Sequence, residues 1–122
     1  MEITDTLLKG EHIASSDEDN DRLWSEVSVG FDTHRNFVVE LEETGPTGRT
    51  YTRAVVDMDN TALLCNRFGT GLLELPAAMR KEFGDDFPNY PPSRMKAVFK
   101  DIADFLVETG CKFTVRTYTL PR

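Results

Sequence analysis

Cysteine is scarce in this chain of 122 residues, with Cys65 and Cys111 its only two. That excludes a fold built on a disulfide framework. No apolar run approaches the ~20 residues that a membrane-spanning helix needs. Histidine is equally scarce, and neither His12 nor His34 stands at metal-ligand spacing from a cysteine. Positive charge is in deficit, with 14 Lys+Arg against 21 Asp+Glu and a net charge of −7. An acidic surface repels phosphate backbones and anionic lipid heads, so nucleic acid and membrane are not expected as direct partners. The opening Met1-Glu2-Ile3-Thr4-Asp5 has no basic, apolar export signal. The expected compartment is therefore the cytoplasm, with both thiols reduced as small core residues.

What is present suffices for one core. Residues 1–122 read as a single domain, with 39% apolar residues and eight Phe among them. The acid is concentrated early. Residues 1–60 hold five basic and fourteen acidic side chains, net −9, and residues 61–122 hold nine and seven, net +2. Residues 1–14 show no clean period, and the acidic run at 15–22 reads as a loop. From Leu23 the period becomes two. Val27, Val29 and Phe31 share one face, while Trp24, Glu26, Ser28 and Gly30 share the other. After a polar break at 32–36, Phe37, Val39 and Leu41 alternate with Val38, Glu40 and Glu42. Thr44-Gly45-Pro46-Thr47-Gly48 is a turn, and Thr50 to Met58 a third strand. Asp59-Asn60 reads as a tight hairpin into a fourth strand over 61–66.

The second half is helical in character. Leu72 to Phe83 carries Pro76 at a first helical turn and stops at Gly84. The proline-rich stretch 84–92 is a loop. Ser93 then reads as an N-cap for a helix whose apolar stripe is Met95, Val98, Phe99, Ile102 and Leu106, ending at Gly110. Lys112 to Thr119 alternates again as a final strand. The expected fold class is α+β: an antiparallel sheet of about four to five strands, in the order β-β-β-β-α-α-β, with two helices packed on one face.

Several stretches invite a chemical reading. Asp17-Glu18-Asp19-Asn20-Asp21 lacks the glycine and closing glutamate of a calcium loop. Gly69-Thr70-Gly71 lacks the rest of a phosphate-binding fingerprint. Ala54-Val55-Val56-Asp57-Met58-Asp59-Asn60-Thr61 resembles the first motif of the haloacid dehalogenase-like phosphohydrolases, an apolar strand ending in Asp-x-Asp-x-Thr. A strand closing on Thr117 after the long helix is similar to that family's second motif. The resemblance implies a parallel strand ending at Asp57, with Asp57 as the phosphoryl-accepting nucleophile, Asp59 as general acid/base, and Mg²⁺ held by both. The competing reading makes Asp57 to Asn60 a turn.

The residues favour binding over catalysis. The expectation is a non-enzymatic acidic binding or regulatory protein, of inhibitor, immunity or accessory type. It would recognise a basic protein surface or associate with itself, and would need no cofactor. The candidate contacts are Trp24, Glu26, Glu40 and Glu42 on the outer strand face. Phe87 and Tyr90 join them from the proline-stiffened loop, where they would alternatively close the helix–sheet seam.

Overall fold

A computed structural model describes residues 7–16, 23–46, 48–84 and 92–121. Among them run β1 (Leu8–Ser15), β2 (Trp24–Phe31), β3 (Phe37–Gly45), β4 (Gly48–Val56), α1 (Met58–Phe68), α2 (Leu75–Phe83), α3 (Pro92–Thr109) and β5 (Thr114–Pro121). The strands form one sheet in the order β1-β2-β3-β4-β5, and every neighbouring pair is antiparallel. The α+β class is as expected, with three helices in place of two. Residues 17–22 of the acidic loop and most of the proline-rich loop lie outside the described residues, while Ser15 ends β1.

Alternation decides which face becomes the core. Val27, Val29 and Phe31 of β2 pair with Leu41, Val39 and Phe37 of β3, and all six are buried. Ala54 and Val56 extend this inner face onto β4, and Ile13 extends it onto β1. The helices bring Leu64, Leu75, Met79, Met95, Ile102 and Leu106 against it. Their packing falls mainly on β1 to β3. β5 is an edge strand whose Val115 is half exposed.

The structure corrects the sequence reading in three places and fills a fourth that it left open. The unassigned start contains β1. Residues 61–66, expected as a strand, belong to α1. Asp57 caps that helix, accepting the backbone N–H and the side-chain amide of Asn60, both at 2.9 Å. The Thr61 hydroxyl donates to the Asp57 carbonyl at 2.6 Å. Thr61, Leu64, Cys65 and Phe68 then form a stripe of helical period against the core, which outweighs local strand propensity. Ser93 is no cap, because α3 already begins at Pro92; proline's fixed φ suits the first helical position. The last strand begins at Thr114 instead of Lys112. The connection before it is tied to α1 by two bonds to Asn60, one from the Lys112 N–H to its side chain at 3.0 Å and one from the Cys111 thiol to its carbonyl at 3.3 Å.

One glycine sets how β1 enters the sheet. The β1–β2 pairing shifts register between Leu8 and Glu11, and the chain passes tightly over Gly30. A Cβ on Gly30 would stand 2.7 Å from the Leu7 Cβ, 2.9 Å from the Leu8 carbonyl oxygen and 3.1 Å from the Gly10 Cα. Two of those atoms are backbone and cannot turn aside. Gly30→Ala should therefore cost about 2 kcal/mol, read as a lower midpoint in urea unfolding with an unchanged slope.

Candidate binding face

The residues that face away from the helices come into rows through the strand register. Glu26 of β2 lies directly opposite Glu42 of β3, Glu42 opposite Tyr51 of β4, and Tyr51 opposite Tyr118 of β5. In the next row Ser28 opposes Glu40, Glu40 opposes Arg53, and Arg53 opposes Arg116, with His12 of β1 beside Ser28. Trp24, Thr44, Arg49 and Leu120 make a third row. The face is thus divided by charge. Its acids stand on β2 and β3, and its arginines on β4 and β5. This division does not follow the sequence halves, since Arg49 and Arg53 belong to the acid-rich first sixty residues.

Four of the six expected contacts meet here: Trp24, Glu26, Glu40 and Glu42. Their roles differ. Glu40 is buried and its carboxylate is engaged by Arg53, with Nε at 2.6 Å from Oε2. Burial raises the Glu40 carboxyl above the ordinary glutamate value, against the pull of the Arg53 guanidinium. That pair closes the sheet surface between β3 and β4. Glu26 is partly exposed, and its imidazole neighbour His12 stands 4.0 Å away. Burial raises its carboxyl too; His12 opposes the shift, and Glu42 and Glu40 add to it. Glu42 accepts only a long bond from the Thr44 hydroxyl at 3.4 Å among the described residues. Trp24 is half-buried beside these acids. Phe87 and Tyr90 lie outside the described residues.

The sequence reading passed over Arg49, Tyr51, Arg53, Arg116 and Tyr118, and weighed His12 only as a metal ligand. The signal was there, because Arg49, Tyr51 and Arg53 alternate along β4 as the acids do along β3. What was missing was the register that sets one series beside the other.

Asp57 and Asp59 sit elsewhere, at the start of α1, and both are exposed. The Asn60 backbone and side-chain N–H groups hold the Asp57 carboxyl below its usual value. That is the signature of a helix cap. β4 runs antiparallel to both β3 and β5, whereas the phosphohydrolase resemblance implies a parallel strand. Among the described residues no group of three His, Cys, Asp or Glu side chains could hold a metal ion. No helix among them is long and apolar enough to cross a membrane. No family model, curated protein or solved structure matches this chain.

The Glu26–Glu42 pair has a measurable consequence. Like charges directly opposite in a sheet are destabilising. A carboxyl whose folded value is raised lends stability below its ordinary value and loses it as pH rises through the raised one. Glu26→Gln should therefore raise the thermal midpoint at pH 7, by a gain of a few tenths to about 1 kcal/mol. The advantage should shrink as pH falls below the carboxylate range. By contrast, Arg53→Leu should cost about 3 kcal/mol at pH 7, because it strands a buried carboxylate. Thermal and chemical denaturation of the two variants across pH 3 to 8 check both signs.

Proposed function

We propose that this is a non-enzymatic binding or regulatory protein, of inhibitor, immunity or accessory type, whose outer sheet face recognises a basic protein surface. The observation that carries the reading is the Glu26–Glu42 pair, two like charges held opposite each other on the face away from the helices. The chain's own His12 and Arg49 flank the pair, on the Glu26 and Glu42 sides respectively, and a cation arriving from outside relieves the repulsion further. Acidic rims attract cationic partners over a distance, and an adjacent aromatic such as Trp24 supplies contact area at low entropic cost. A cytoplasmic setting agrees with two cysteines that are both free.

The division of charge favours a second reading, self-association. A two-fold axis through the face would set the acids of β2 and β3 in one copy against Arg49 and Arg116 of the other.

Trp24 is the chain's one tryptophan, so its fluorescence reports on this face directly. Titration with a lysine-rich dodecapeptide should change the emission saturably. The affinity should fall as salt rises and weaken about tenfold or more in Glu26→Gln/Glu42→Gln. An unresponsive Trp24, or binding indifferent to salt and to the double variant, overturns the reading. Sedimentation at micromolar concentration settles the second one, which requires a dimer that Arg116→Glu dissolves.

A further inference from the structure

At the opposite end of the sheet from Trp24, the structure holds an apolar cleft of about 450 Å³ that the outer face does not involve. Its walls are Leu8, Phe31, Met58, Leu72 and Leu73. Leu8, Met58 and Leu73 are 55%, 42% and 64% exposed, so three of the most exposed large apolar side chains among the described residues converge there. The volume is that of a small-molecule site.

The rim is cationic, in a chain whose net charge is −7. Lys9 and Arg35 line it, and neither has an ion-pair partner among the described residues. The one carboxylate at the rim, Asp32, already accepts the His34 and Asn36 backbone N–H groups and the Asn36 amide, at 2.9, 2.9 and 3.1 Å. It organises the β2–β3 turn and forms no ion pair with Lys9 or Arg35 among the described residues, so the rim carries two cations to one anion.

The backbone gives an independent pointer. Lys9 and Arg35 are the two non-glycine residues with positive φ among the described ones, at 54° and 66°. Lys9 lies where the β1–β2 register shifts, and Arg35 closes the turn by donating its N–H to the Asp32 carbonyl at 3.1 Å. Glycine is the residue that such positions favour. Both instead carry long cationic side chains, and both line the same cleft.

We propose that this cleft binds an amphipathic monoanion, a medium-length alkyl chain with a carboxylate head. The chain would lie on the five apolar walls, and the carboxylate would pair with Lys9 and Arg35. A guanidinium matches a carboxylate through two parallel hydrogen bonds, which sets the head group apart from an alcohol or an amine.

The test is calorimetric titration of the intact chain with decanoate, octanoate, decanol and decyltrimethylammonium. Decanoate should bind, with octanoate weaker by roughly fourfold for each methylene removed. Decanol should bind at least tenfold less tightly than decanoate, and the cationic amphiphile should not bind. Lys9→Gly/Arg35→Gly should fold with an unchanged or raised midpoint, because glycine accepts both conformations. The same variant should lose tenfold or more in decanoate affinity and approach the decanol value. Leu73→Asp, at an exposed wall position, should abolish binding without unfolding the protein. Equal affinity for decanoate and decanol overturns the proposal, as does undiminished decanoate binding in the double glycine variant. Co-sedimentation with phosphatidylglycerol vesicles in the absence of decanoate binding also overturns it, since the cleft would then be reading a lipid surface.

Discussion

The register between β2 and β3 is the constraint on which the rest depends. With Val27 opposite Leu41, Val29 opposite Val39 and Phe31 opposite Phe37, the apolar series of both strands point the same way. A slip of one residue would turn valines and phenylalanines to water and drive Glu40 and Glu42 into the core. The cost of burying unpaired carboxylates rules that register out. The same register places Glu26 opposite Glu42, an unfavourable neighbourhood that follows from a favourable one. The core and the acidic face are two sides of one arrangement.

The helices complete that arrangement on one side only. α3 lays Met95, Ile102 and Leu106 on the inner face, and α1 adds Leu64. The opposite face is closed locally, by the Glu40–Arg53 pair between β3 and β4 and by the passage of β1 over Gly30. Between these two closures the surface keeps its division of charge. On this side Val38 and Tyr51 are buried yet stand apart from the main core.

Much of the fold was legible in the chain, for reasons particular to each element. Alternation from Leu23 to Leu41 carried β2 and β3, and the stripe from Met95 to Leu106 carried α3. Residues 57–66 misled because Asp-x-Asp-Asn is compatible with both a turn and a helix cap. The deciding contacts, Leu64 in the core and Asn60 holding Cys111 and Lys112, come from elements distant in the sequence. β1 was hidden because its register shift breaks the alternation by which strands are recognised.

Sequence alone determined which side chains share a side of each strand and helix, since the periods of two and 3.6 are local properties of the backbone. It therefore placed Trp24 with Glu26 on one side of β2, and Glu40 with Glu42 on one side of β3. Only the tertiary structure decided that Arg53 engages Glu40 while Glu26 and Glu42 confront each other. It likewise decided that Leu8, Phe31, Met58 and Leu73 wall one cleft beside Lys9 and Arg35. Those neighbours lie far apart along the chain, and long-range burial of apolar surface, which no local period records, brings them together.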